Sequence, residues 1–91
     1  MQIFPMLTMR NIQFTRLLKT GGRFREFNFR RSSNDGITVF FIDVTDDRNN
    51  RVQFRMQKEN GSWKLFPQVL PEWISTSESN LAGFIDEEFH E

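Results

Sequence analysis

The sequence predicts an α+β domain: an antiparallel β-meander of about five strands with a C-terminal amphipathic helix packed on one face. Three observations carry that reading. Ile37 to Val44 is apolar at every position but two, and Arg51 to Lys58 alternates apolar with polar, the patterns of a buried and a half-buried strand. Asn60-Gly61 separates the alternating run from Ser62-Trp63-Lys64-Leu65-Phe66, and both residues tolerate the positive φ of a type I′ hairpin turn. Beyond Pro67 the apolar spacing becomes helical.

In chain order, residues 1–10 are apolar around Pro5 and form an N-terminal segment. Ile12, Phe14 and Leu18 alternate with Gln13 and Thr15 in a first strand, which turns at Thr20-Gly21-Gly22. Arg23 to Arg31 makes a second strand, and Ser32-Ser33-Asn34-Asp35-Gly36 reads as a loop by composition. The central strand 37–44, a turn around Asp46-Asp47-Arg48-Asn49, and strands 51–58 and 62–66 complete a meander over residues 12–66. Pro71-Glu72-Trp73-Ile74 suits a short helical turn with proline in its first turn. Ser75, three residues ahead of Glu78, offers a capping box for a helix over 75–90, with Leu81, Phe84, Ile85 and Phe89 on one face. Gly83 weakens this helix by about 1 kcal/mol relative to alanine, and the acids at its end oppose the helix dipole, so docking must hold it. No repeat or linker interrupts residues 1–91, which read as a single small domain.

Register turns the strands into two faces. A two-residue turn at Thr20-Gly21 sets Phe14 by Phe27, and a five-residue loop at 32–36 sets Phe29 by Val39 and Arg25 by Asp43. A loop of the four residues Asp46 to Asn49, or of those plus one flanking residue on each side, sets Val39 by Met56 and Phe41 by Phe54; the Asn60-Gly61 turn sets Lys58 by Trp63 and Met56 by Leu65. One face then carries Ile12, Phe14, Phe27, Phe29, Val39, Phe41, Val52, Phe54, Met56, Trp63 and Leu65, beneath the helix. The other mixes polar residues with Leu17, Phe24, Phe40, Ile42, Val44 and Phe66, with Arg55 between Phe40 and Phe66. A face that apolar needs a cover: residues 1–10, a second copy, or a ligand.

Net charge is +0, but residues 1–58 hold 11 Lys and Arg against 5 acids, and residues 59–91 hold 1 against 7. An acidic C-terminal segment packing near a basic sheet accounts for this, with a basic surface for a polyanion as the alternative. The absence of cysteine excludes disulfide and thiolate chemistry. No signal-peptide pattern opens the chain and no apolar run reaches membrane-spanning length, so a cytoplasmic protein without a membrane partner is expected.

Chemical motifs are few. Arg23 to Arg31 interleaves arginine with phenylalanine and is similar to the RNA-recognition signature of aromatics on a central strand, although that signature's glycines and βαββαβ order are absent. Asp43 to Asn49 spaces oxygen side chains as a calcium loop does, but Arg48 stands where that loop needs glycine and Phe54 where it needs glutamate. Asn60-Gly61-Ser62 fits a glycosylation pattern inside a tight hairpin. His90 is the single histidine, which excludes a catalytic triad and a multi-histidine metal site. Glu59-Asn60-Gly61-Ser62-Trp63-Lys64-Leu65 resembles the last hairpin of nuclear-transport-factor-like cone domains. Those domains begin with helices, and nothing before Ile12 is long enough to supply them, so no residue role is carried over.

The expectation is a non-catalytic interaction domain without cofactor or metal. It binds a protein partner or a second copy of itself, as a homo-oligomer, through Phe24, Phe40, Ile42, Arg51, Arg55, Lys64 and Phe66. Two alternatives stand beside it. One is single-stranded nucleic acid or another polyanion on the Arg/Phe face, using Arg30 as well; the other is a small-ligand pocket between sheet and helix, lined by Trp63 and Asp43.

Overall fold

The computed structural model describes residues 12–89. Five antiparallel strands follow in sequence order, β1 (Gln13–Thr20), β2 (Arg23–Asn34), β3 (Ile37–Thr45), β4 (Arg51–Glu59) and β5 (Ser62–Leu65), each hydrogen-bonded to the next. Two helical elements come last, α1 (Glu72–Ser75) and α2 (Glu78–Glu88). The expected meander with a C-terminal helix is therefore the fold. Residues 1–10, offered above as a cover for the sheet, and His90 lie outside the described residues.

Three of the four turns are two-residue hairpins: Gly21-Gly22, Asp35-Gly36 and Asn60-Gly61. All six residues have positive φ, between 51° and 85°, whose twist matches that of the flanking strands. The Asn60-Gly61 register is as expected, Lys58 opposite Trp63 and Met56 opposite Leu65. The β1–β2 turn lies one residue later than expected, which shifts the pairing by two and leaves the faces unchanged.

β3 is where the expected faces fail. Ser32, Ser33 and Asn34 are strand, opposite Val39, Thr38 and Ile37, and only Asp35-Gly36 turn. The β3–β4 loop is Asp46 to Asn50, since Thr45 faces Arg51. The Asp46 carboxylate accepts the N–H groups of Arg48 (2.9 Å) and Asn50 (2.8 Å), and Asn49 takes φ 65°. Each correction shifts pairing by an odd number, so β3 alone is turned over. Phe40, Ile42 and Val44 point inward, opposite Met56, Phe54 and Val52, while Val39, Phe41 and Asp43 point outward. Phe40 and Ile42 are core residues and not part of a binding face. Val39 and Phe41, conversely, are not core.

The interior is closed by Phe27, Phe29, Phe40, Ile42, Val44, Phe54, Met56 and Trp63 from the sheet and by Ile74, Leu81 and Ile85 from the helices. Phe40 is fully buried, edge-on to Trp63 (5.3 Å between centroids) and Phe89 (5.6 Å). Trp63 is inside and Asp43 outside, so the two do not line one pocket between sheet and helix.

The helix spans 78–88 and not 75–90. Ser75 does not cap it: its hydroxyl turns back toward the carbonyls of Pro71 and Glu72. Glu78 accepts the Leu65 N–H at 2.7 Å and fastens α2 to β5. The spacing of the helix is as expected, with Leu81 and Ile85 buried and Phe84 and Phe89 half-buried. At its far end Arg16 of β1 is paired with Glu87 and Glu88.

Arg25 does not pair with Asp43. Its buried side chain donates to the carbonyls of Thr20 (2.8 Å) and Gly21 (3.3 Å) and to Asp47 (3.0 Å), and lies 3.8 Å from the Trp73 ring centroid. This locks the first hairpin to α1 and to the β3–β4 loop. The Thr20 hydroxyl adds a hydrogen bond to the Trp73 carbonyl (2.7 Å).

Candidate functional site

The outer face of the sheet, away from α2, holds the candidate site. Because opposite residues on paired strands share a face, the register defines rows running across the sheet. One row reads Gln13, Arg30, Phe41, Arg55, Phe66: Gln13 faces Arg30, Arg30 faces Phe41 and Phe41 faces Arg55. The Phe66 N–H extends it by donating to the Arg55 carbonyl (2.9 Å). Arginine and phenylalanine thus alternate across four neighbouring chain segments, about 4.8 Å apart.

The charges in this row touch rings. The Arg55 guanidinium lies 3.8 Å from the Phe66 centroid and that of Arg30 lies 5.5 Å from the Phe41 centroid, both within cation–π range. Neither arginine has a carboxylate partner among the described residues, unlike Arg16, Arg23, Arg25 and Arg51. Phe41 is 36% exposed.

The neighbouring rows are polar. On one side stand Ser32, Val39, Gln57 and Lys64. On the other stand Thr15, Asn28, Asp43 and Gln53. Thr15 donates to Asn28 Oδ1 (2.7 Å), Asn28 to Asp43 Oδ1 (3.1 Å), and Arg51 pairs with Asp43 Oδ2 (3.1 Å). Gln68, in the extended segment after Phe66, donates to the Gln53 carbonyl (3.0 Å). Together Arg30, Phe41, Asp43, Gln53, Arg55, Phe66, Pro67 and Gln68 line an open groove of about 490 Å³, within the range of small-ligand sites.

Of the residues expected at a binding face, Arg55 and Phe66 meet in this groove. Lys64 is exposed one row to the side, and Arg51 is occupied by Asp43. Phe24 is exposed on the same face, beside Lys19 at the far end of the first hairpin. Phe40 is absent from it, and Ile42 borders the groove with its side chain buried in the core, for the reason given above. Phe41 takes their place, and the Asp35-Gly36 dipeptide was the signal for it: read as a two-residue turn, it puts Phe41 beside Arg30.

Chemically, the row offers two guanidiniums without carboxylate partners among the described residues, each over a ring, and the partly exposed ring of Phe41. A guanidinium stacked on a ring keeps its N–H donors in its own plane and available to an anion, and Arg55 lies 3.8 Å from the Phe66 centroid. Among the described residues, no three His, Asp or Glu side chains gather as metal ligands, and no helix is long and apolar enough to cross a membrane. No protein-family model, curated protein or solved structure matches this chain.

Proposed function

We propose that this chain is a non-catalytic binding domain whose working surface is the outer face of its sheet, and that its partner is a polyanion. The observation that carries this is the row in which Arg30 and Arg55, without carboxylate partners among the described residues, alternate with Phe41 and Phe66. Two guanidiniums held on rings, Arg30 exposed and Arg55 half-buried, are prepared for anionic oxygens, which they take in a bidentate manner. Self-association through the same face is disfavoured. Stacking two copies would bring four such guanidiniums into one interface, while the nearby Asp43 is already committed to Arg51 and Asn28.

Heparin-affinity chromatography at neutral pH and low salt tests this reading. The formal net charge is +0, so retention requires a local cluster of cations. The expected result is retention of the wild type, loss of retention in Arg30→Gln/Arg55→Gln, and no change in Arg48→Gln, which alters an exposed arginine in the β3–β4 loop. Passage of the wild type unretained, or equal retention of the double variant, overturns it.

A further inference from the structure

We infer that the polyanion is a single-stranded nucleic acid, read by stacking of its bases on Phe41 and on the Arg55–Phe66 pair; this rests on the outer face being an anion-binding surface. Heparin and acidic peptides offer only charge, which Arg30 and Arg55 would satisfy alone. The site holds two further things beyond charge, although the rings also carry the guanidiniums. The first is the pair of ring faces, set two strand spacings or roughly 10 Å apart in the same row as the arginines. The second is the flanking row of amides and a carboxylate, where the Gln53 side chain has no partner among the described residues and Gln68 stands beside it. A strand of nucleotides alternates phosphate with base, as the row alternates arginine with ring. Bases stack on aromatic side chains and on guanidinium planes, and their edges need donors and acceptors of the amide kind.

The geometry selects unpaired bases. The rings stand on the face of a sheet, in an open groove, where a duplex with its bases stacked inside offers them nothing to stack on. The chain's zero net charge does not oppose this. Glu87 and Glu88 of α2 lie behind the sheet and are paired with Arg16, so these two acids are turned away from the groove. Two phosphate contacts give a shallow salt dependence, a slope of about −1.4 in log K against log salt.

The experiment is fluorescence anisotropy with the full chain, a labelled mixed-sequence single strand of about ten nucleotides, its blunt duplex, and heparin and polyglutamate as competitors. The single strand is expected to bind at least about tenfold more tightly than the duplex. Phe41→Ala and Phe66→Ala are each expected to weaken binding about fivefold or more with the salt slope unchanged. Arg30→Gln should flatten the slope by about 0.7. Should an alanine variant misfold, Phe41→Leu and Phe66→Leu retain apolar bulk without the π face and make the same test. Equal affinity for strand and duplex, or phenylalanine variants that bind as the wild type does, overturns the nucleic-acid inference and leaves the anion-binding face standing. So does displacement of the strand by polyglutamate at matched charge. Absence of binding to every probe at about 50 mM salt overturns both.

Discussion

Phe40 and Phe41 are adjacent phenylalanines on opposite faces of β3, and truncating each in turn measures which face is the core. Phe40 is fully buried and meets Trp63, Phe89 and Phe14 edge-on, at 5.3, 5.6 and 6.1 Å. Burial of the side chain is worth roughly 1.5–3 kcal/mol, and each ring contact adds about 0.5–1.5 kcal/mol. Phe40→Ala therefore belongs in the upper part of the usual range of about 3–5 kcal/mol for such truncations. Phe41 is 36% exposed and has Arg30 at 5.5 Å. Phe41→Ala loses that cation–π contact, about 0.5–1 kcal/mol, and roughly two-thirds of one burial term, about 1–2 kcal/mol, or about 1.5–3 kcal/mol in all. Urea unfolding followed by the fluorescence of Trp63 and Trp73 reads the difference. With a slope of about 1.5 kcal/mol per molar, Phe40→Ala lowers the midpoint by about 3 M and Phe41→Ala by about 1–2 M. Phe40→Ala failing to fold at all agrees with this, since a domain of this size has only about 5–10 kcal/mol in hand. A lower midpoint for Phe41→Ala than for Phe40→Ala refutes the register and removes Phe41 from the groove.

Gly21 and Gly22 both have positive φ, but a Cβ on Gly21 would lie 2.9 Å from Arg25 Nη2 and 2.9 Å from Trp73 Cβ, whereas one on Gly22 meets nothing within 4 Å. Gly22→Ala should cost about 1 kcal/mol and lower Tm by about 4–8 °C, and Gly21→Ala at least about twice that; equal shifts by calorimetry refute the packing of Trp73 on this turn. The hydrogen bond from Arg25, helped by Arg23, holds the Asp47 carboxyl below the usual carboxylate range. A carboxyl lowered by folding contributes stability that is present above its unfolded value and lost as pH falls through the folded one. Asp47→Asn therefore destabilises at pH 7, and less so as the pH falls below the usual carboxylate range, by thermal unfolding at pH 7 and in acid; an equal loss at both refutes this.

The strands and the docked helix were legible because the turn residues name themselves. Asn60-Gly61 and Gly21-Gly22 supply positive φ where a tight hairpin requires it, and Leu81, Phe84, Ile85 and Phe89 recur at helical spacing. The face of β3 was legible only in part. Its run is apolar on both sides, so alternation does not choose between Val39-Phe41 and Phe40-Ile42-Val44. Loop length had to choose, and Ser32-Ser33-Asn34 look like loop residues although they pair as strand, with Ser33 Oγ and Thr38 Oγ1 3.2 Å apart across the hairpin. Two signals nevertheless pointed the right way. Asp35-Gly36 favours the two-residue turn, and Asp43 shares its side of β3 with Phe41, a side that cannot be the core without burying a carboxylate.

The overturned strand also decides what sort of surface the sheet offers. With Phe40, Ile42 and Val44 outward, that face would be an apolar stripe, and hydrophobic burial against a second copy would be its natural use. With those three inside, the middle of the face keeps Phe41 and Phe66, each beside an arginine, with Phe24 beside Lys19 at the end of the first hairpin. Exposed apolar side chains remain on this face, Leu17, Phe24 and Ile37 among them, and between its arginines charge and stacking add their own means of recognition. Both act on partners that carry anionic and flat groups together. Whole-chain charge hides this, because the sum over the sequence cancels Arg30 and Arg55 against acids such as Glu87 and Glu88 that stand behind the sheet. A partner close to the groove meets the local field and not the sum, within the roughly 8–10 Å over which salt leaves a charge visible. That short range is why the binding proposed here must weaken with salt and must be lost when Arg30 and Arg55 are neutralised.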